Sequence, residues 1–176
     1  MIPALRGLWG GNYGHQGEYY NFPTSTSTPK PLQPNGPPIW IAARNSNSHE
    51  FAIANNCNVQ VTPLWQGFEE VESLMSRFMD AKAKCQNSAD TKIMLLQHAY
   101  ISNNKNQLEQ AAVMFSEFYA HFGAWFSNKR PVDQGLMKKL TSKEIQSLDA
   151  YTPKIMKDNL AIGTATEVID LIKKYE

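Results

Sequence analysis

Apolar and polar residues follow one another along the chain in blocks that predict strands alternating with helices. The first apolar block, 39–43, follows two prolines and stops at the polar segment 45–48, which predicts a short strand and a turn. Segments 58–62 and 92–101 are rich in β-branched and other apolar residues and predict a second and a third strand. A helical pattern follows each of the three strands.

Helical periodicity is clearest in two long segments. Residues 68–85 carry apolar side chains at intervals of three and four, which predicts a helix with one apolar stripe. Residues 108–126 repeat this pattern with many aromatic rings, which favours a helix packed on the sheet over a substrate pocket. Thr141 and Thr164 each precede a glutamate by three residues, a spacing that predicts capping boxes at the start of two further helices.

This order of elements predicts an α/β fold with about three parallel strands and flanking helices. Because the first strand is apolar at every position, we expect both of its faces to be covered. Three strands would leave two sheet edges exposed, which favours part of a larger sheet or barrel. We expect one incomplete domain over 1–176, with a loop-rich arm at 1–38, three strand–helix units at 39–126 and a helical tail at 127–176.

Composition narrows the classes of partner. The net charge of +1 gives no electrostatic case for binding nucleic acid or an anionic membrane, and we expect neither partner. No apolar run approaches the length of a membrane span, and no signal peptide is expected at the N-terminus. Two cysteines, Cys57 and Cys85, fit a cytoplasmic protein, and neither has a metal-like spacing to a histidine, so no metal site is expected.

The turn after the first strand is the first candidate for chemistry. Asn45, Ser46 and Ser48 precede or open a helix, where free backbone N–H groups and side-chain donors converge. This layout suits a phosphate-bearing ligand. The same residue types are also common helix caps without any ligand, so the pattern alone leaves both interpretations open.

Four segments, taken in order, resemble one known family. They are 17–22 (GEYYNF), 29–34 (PKPLQP), 37–43 (PPIWIAA) and 161–169 (AIGTATEVI), and they resemble the middle and late parts of a bacterial luciferase-like flavin-dependent monooxygenase. In the last segment Ala165 and Thr166 stand where proline and glutamate are usual, while Glu167 keeps the capping position. The resemblance extends over nearly the whole chain.

The resemblance implies the C-terminal portion of a TIM-type (β/α)8 barrel, with family strands five to seven at 39–43, 59–62 and 94–101. It also implies reduced FMN as cofactor and the oxygenation of a small organic substrate by O2. A relative that transfers hydride with F420 is the alternative enzyme. A truncated, non-catalytic fragment is the third reading; it would form a homo-oligomer or join another chain that supplies the missing strands.

Site residues follow from the same resemblance. The family's turn after strand five holds the flavin phosphate, which implies Arg44, Asn45 and Ser48 as phosphate contacts, with Ser46 as a further candidate. Arg44 suits a phosphate by its charge. Thr62, at the end of strand six, falls where the family often places a small hydroxyl residue beside the flavin ring.

The histidines have different expected roles. His98 lies within the third predicted strand and is the candidate acid or base, although a core or surface histidine is the more frequent case. His15 and His49 are expected in a loop and on a helix surface, and His121 is expected in helix packing. The family's known catalytic positions have no counterpart in this chain.

Overall fold

The computed structural model describes residues 1–34, 36–85, 90–128 and 130–175 and has the predicted α/β character. Its contacts divide the chain into two compact units. The first unit comprises Met1–Val61 and Arg77–Met94, and the second comprises Thr62–Ser76 and Leu95–Glu176. The single domain predicted from the sequence stays a prediction.

The first unit opens with helix α1 (Ile2–Gly10) and a hairpin of strands β1 (Asn12–Gln16) and β2 (Asn21–Thr26). The strands pair antiparallel, with Asn12 opposite Thr26 and Gln16 opposite Asn21. The loop-rich arm predicted for 1–38 therefore contains a helix and two strands. The prolines and glycines of this segment interrupt the periodicity by which a helix or strand is predicted. Hairpin pairing also depends on contacts between residues that are not neighbours in sequence.

A three-stranded sheet follows, with β3 (Trp40–Ala42) beside β4 (Asn58–Val61) and β4 beside β5 (Ile93–Leu95). Strands β3 and β4 are parallel, as predicted, and helix α2 (Ser46–Ala54) connects them and packs on β4. The expected cover on both faces of β3 is wrong. Trp40 and Ala42 share one face of the pleat, and both are exposed.

Helix α3 (Gly67–Ala83) divides between the units after Ser76. In the second unit, strand β6 (Ala99–Ile101) pairs in parallel with β9 (Ala161–Gly163). The predicted third strand at 92–101 is thus two strands, β5 and β6, in different sheets. The prediction also missed β9, whose three residues are too few to show a strand period.

The remaining elements of the second unit are mostly helical. They are α4 (Lys105–Phe126), a small hairpin of β7 (Val132–Asp133) and β8 (Leu136–Met137), α5 (Ser142–Gln146), a 3-10 turn (Asp149–Tyr151), α6 (Pro153–Asn159) and α7 (Ala165–Lys173). Their core is built by α4, α6 and β9, through Leu108, Ala112, Tyr119, Met156, Leu160 and Ile162.

Both predicted capping boxes are present. Thr141 accepts a hydrogen bond from the backbone N–H of Glu144, whose carboxylate accepts from the N–H of Thr141, and Thr164 and Glu167 repeat the arrangement. Within the described ranges, no helix has both the length and the apolar character needed to cross a bilayer.

Candidate functional site

The turn between β3 and α2 has the geometry of an open helix N-terminus. Asn45 occupies the N-cap position in an extended conformation, with φ −87° and ψ 150°, but its side chain makes no capping hydrogen bond. Its carbonyl accepts from the N–H groups of Ser48 and His49, at 3.0 and 3.1 Å. Ser46 and Asn47 are the first two residues of the helix. Their N–H groups precede the first hydrogen-bonded turn and therefore have no acceptor within the helix.

The residue types at this turn suit an anion. The side chains of Asn45 and Ser46 are exposed, and those of Arg44 and Ser48 are half-buried. Their amide, hydroxyl and guanidinium groups are all hydrogen-bond donors, and the helix dipole adds a partial positive charge at the same end. The structure thus brings the four phosphate candidates from the sequence onto one turn of the first unit.

His49 is buried, and the prediction that it lies on a helix surface is wrong. The side chain is fully buried, and its Nε2 lies 3.3 Å from the carbonyl oxygen of Ala43. Nδ1 has no hydrogen-bond partner among the residues that the structure describes. Burial lowers the pKa of His49, and the charge of Arg77 lowers it further against the raising effect of the bond to Ala43. A neutral ring that meets a carbonyl carries its proton on Nε2.

Sequence spacing contained a signal for this burial. His49 lies three and four positions before Ala52 and Ile53, which are fully buried, and so shares their helix face. The ring also meets Phe78 edge-on, with centroids 6.5 Å apart. The next carbonyl of the turn has a donor as well, because Nη1 of Arg77 donates to the oxygen of Arg44 at 2.8 Å.

Thr62 and His98, the other two candidates, line one cavity of the second unit. The cavity has a volume of about 210 Å³ and is otherwise apolar and aromatic, with Leu64, Leu96, Phe118, Tyr119 and Phe122 in its wall. The Thr62 hydroxyl oxygen accepts from the N–H of Leu64 at 3.2 Å. Leu64 has a φ of 56°, a strained conformation for a bulky side chain, and it lies directly at this cavity.

His98 makes a specific contact inside this cavity. Its Nδ1 lies 2.9 Å from the hydroxyl of Tyr119, and its ring stacks on Phe115 with centroids 5.2 Å apart. Burial lowers the pKa of His98, and burial raises the pKa of Tyr119 to about 12. At neutral pH both groups are therefore uncharged. Tyr119 lies in the aromatic helix predicted for 108–126, but its spacing gave no indication that it is the partner of His98.

A second cavity of the same unit shares the His98 ring. It has a volume of about 350 Å³ and lies between β6 and α4, lined by Tyr100, Gln107, Gln110, Ala111, Met114, Phe115 and Phe118 besides His98. Its walls are mainly apolar, which suits a small organic molecule. Among the residues that the structure describes, no cluster of histidine, cysteine and carboxylate side chains could hold a metal ion.

Comparison with known proteins agrees with the family resemblance. The chain is 51% identical over 176 residues to the oxygenase component of a flavin-dependent trigonelline monooxygenase from Acinetobacter baylyi, covering 100% of this chain and 49% of that protein. The chain thus spans about half the length of this relative.

Solved structures show the same fold at lower identity. An F420-dependent secondary alcohol dehydrogenase, solved with an F420–acetone adduct, has a TM-score of 0.63 at 15% identity over 99% of this chain and 50% of its own. A monooxygenase from Streptomyces bottropensis has a TM-score of 0.60 at 19% identity, over 98% and 47%. The family model of the luciferase-like monooxygenases matches residues 1–176. The chain therefore belongs to the luciferase-like monooxygenase family.

Proposed function

We propose that this chain is the C-terminal part of a luciferase-like, flavin-dependent monooxygenase that uses reduced FMN and O2 to oxygenate a small organic substrate. The observation that carries the proposal is the turn at 44–48, where a helix N-terminus and exposed amide and hydroxyl groups follow a parallel strand. Parallel α/β proteins bind phosphate groups at such turns. The partial (β/α)8 barrel belongs to the same proposal.

Each turn residue has a defined role in this proposal. Asn45, Ser46 and Ser48 donate to the phosphate oxygens through their side chains, and the first N–H groups of α2 donate alongside them. Arg44 contributes a positive charge and a guanidinium fork suited to phosphate. The residues present at the turn thus match the chemistry of the FMN tail.

Two residues of the second unit are assigned to the reaction itself. We assign Thr62, which directly follows β4, to a contact with the flavin ring on the basis of its family position, and we assign His98 to the role of acid or base. Bound FMN supplies the redox chemistry with oxygen. The chain's own contribution is to hold the ring, to keep water out with aromatic walls and to place a neutral imidazole in the cavity.

The substrate and partners follow from the relative in Acinetobacter baylyi. That protein is named for trigonelline, which makes this pyridine derivative the first substrate to test. It is also named as an oxygenase component, from which we infer a separate reductase that supplies reduced flavin. Because the chain spans about half of that relative, we propose that activity also requires the other half of the barrel, from this or another chain.

F420-dependent hydride transfer is the second candidate function. The observation in its favour is the fold match to an F420-dependent alcohol dehydrogenase. The same turn would hold the phosphate of either cofactor, so the turn cannot separate the two. The 51% identity to a flavin-dependent enzyme favours FMN.

Cofactor binding tests the proposal directly. Reduced FMN, reduced riboflavin and F420 are titrated into the chain without oxygen, and the quenching of tryptophan fluorescence is followed. We expect saturable binding that is tightest for FMN. Tighter binding of F420 would favour the alternative. A chain that is monomeric by gel filtration and binds none of the three at tens of micromolar would overturn the proposal and favour a non-catalytic fragment.

A further inference from the structure

Two side chains of the first unit bind consecutive carbonyl groups at the start of the turn at 44–48, which we call the phosphate turn. Nε2 of His49 donates to the oxygen of Ala43, and Nη1 of Arg77 donates to the oxygen of Arg44. The next oxygen, that of Asn45, accepts from the helix itself. Three successive carbonyl groups, at 43, 44 and 45, therefore have donors within the protein.

The planarity of the peptide group gives these bonds a directional consequence. In a trans peptide the C=O of one residue and the N–H of the next point in opposite directions. The N–H groups of Arg44 and Asn45 therefore point away from His49 and Arg77. If either peptide rotated by half a turn, a carbonyl oxygen with its partial negative charge would replace an N–H group, and it would repel a phosphate at the turn.

The surroundings of His49 favour this one bond. The ring is fully buried, and one of its nitrogens has no partner, so the bond to Ala43 is its polar contact within the described structure. Arg77, which is half-buried on α3, is the charged group that faces the ring. Its guanidinium places a positive charge next to the carbonyl of Arg44 in the same turn.

We propose that His49 and Arg77 are positioning residues that hold the peptides at 43–45 in the orientation required for phosphate binding. They act on the cofactor through the backbone and do not contact it. The inference rests on the proposed function, because it concerns the same turn. It adds two residues that family position did not assign.

The test uses the difference between two flavins. FMN and riboflavin share the ring system and differ in the phosphate, so a change at the turn alters only FMN affinity. We expect His49→Leu to weaken binding of reduced FMN about tenfold, the equivalent of one hydrogen bond to a charged group, and to leave riboflavin affinity unchanged. His49→Gln, whose amide reaches the position of Nε2, should restore most of the loss.

Arg77 supplies a second variant in case His49→Leu fails to fold. Arg77→Met removes the donor and the charge from a half-buried position and keeps the aliphatic stem, and we expect the same selective loss. Hydrogen exchange at 43–49 should be faster in both variants, with exchange in β4 unchanged. Equal losses for FMN and riboflavin in both variants would show a general structural role and would overturn the inference.

The outcomes separate the inference from the proposed function. If the wild-type chain binds FMN no more tightly than riboflavin, the turn at 44–48 does not bind the phosphate. The positioning role of His49 and Arg77 is then wrong as well. If the wild type prefers FMN and both His49→Leu and Arg77→Met keep that preference, the positioning role alone is wrong.

Discussion

The hydroxyl of Tyr119 lies 2.9 Å from Nδ1 of His98, within a cavity of the second unit that Thr62 also lines. Tyr119 is 2% exposed, so its hydroxyl needs a partner inside the protein. A phenol with a pKa near 12 stays protonated at neutral pH, and its O–H donates a hydrogen bond to Nδ1 of the imidazole. This bond leaves the His98 proton on Nε2.

The first prediction is that His98 is the Nε2–H tautomer in the folded chain. Long-range ¹H–¹⁵N NMR spectra of the imidazole nitrogens measure this directly, and Tyr119→Phe should shift His98 toward a mixture of tautomers. His121 is an internal control of opposite type, because its Nδ1 donates to the carbonyl of Glu117 and its Nε2 accepts from the N–H of Leu140. A wild-type His98 protonated on Nδ1 would contradict the prediction.

Tyr119 also predicts a loss of stability at alkaline pH. Its pKa is about 12 in the folded chain and about 10 in an unfolded one. Above pH 10 the unfolded chain loses this proton and the folded chain keeps it, so the free energy of unfolding falls, by up to about 2 kcal/mol near pH 12. Urea denaturation at several pH values measures the slope. In Tyr119→Phe the free energy of unfolding should fall less steeply with pH. An equally steep fall in the two proteins would argue against a buried, protonated phenol.

Paired substitutions separate the structural hydrogen bond of Thr62 from the flavin contact that we propose for it. Its oxygen accepts from the N–H of Leu64, a residue held at positive φ. We expect Thr62→Val to lower the free energy of unfolding by about 1 kcal/mol, and Thr62→Ser to preserve it. If the hydroxyl also contacts the flavin ring, the valine variant weakens FMN and riboflavin binding equally. Unchanged affinity for both flavins would remove Thr62 from the site.

Local sequence patterns predicted the features that depend on a few neighbouring residues. The capping boxes at Thr141 and Thr164 follow from side-chain spacing over one helical turn. The polar segment 45–48 likewise predicted a helix start, and α2 begins within it, at Ser46. The parallel pairing of β3 with β4 followed from the strand–helix–strand order. That Arg44, Asn45, Ser46 and Ser48 bind a phosphate stays a prediction.

Features that depend on distant contacts were not predicted. The break between β5 and β6 falls at Gln97 and His98, but two polar residues inside a strand pattern do not show that the strands on either side join different sheets. The division depends on the pairing of β6 with β9, about sixty residues further along the chain. For His49, the spacing to Ala52 and Ile53 indicates a buried helix face, but its polar type gives no indication of the acceptor at Ala43. The Tyr119–His98 bond joins two elements whose approach only the fold determines.

The end of α2 provides a stability prediction. Asn56 has a φ of 50°, and its N–H donates to the carbonyl of Ile53 while that of Cys57 donates to Ala52, the pattern of a Schellman cap. Alanine is strained in this conformation, so Asn56→Ala should lower the free energy of unfolding by about 1 kcal/mol. Asn56→Gly removes the strain and should change it by less than about 0.5 kcal/mol. Equal effects of the two substitutions in thermal unfolding would contradict the assigned cap.

Glu144 predicts the behaviour of the chain in acid. Nη1 of Arg130 donates to its carboxylate at 2.7 Å and the N–H of Thr141 donates at 2.7 Å, and these bonds, that of Arg130 foremost, lower the pKa of Glu144 to about 2. Since the folded pKa lies below the unfolded value of 4.5, this contribution is complete above pH 4.5 and is lost as the pH falls toward 2.

Denaturation midpoints between pH 5 and pH 2.5 test this assignment. Glu144→Gln should lower stability at pH 6 and show a weaker dependence on acid, because an amide cannot titrate and binds Arg130 poorly. Glu167→Gln at the other capping box is the matched control. The N–H of Thr164 lowers the pKa of Glu167, and within the described part of the chain no arginine is its hydrogen-bond partner. We expect its effect to be the smaller of the two. A Glu144→Gln variant with the wild-type acid profile would show that Arg130 and Glu144 do not pair in solution.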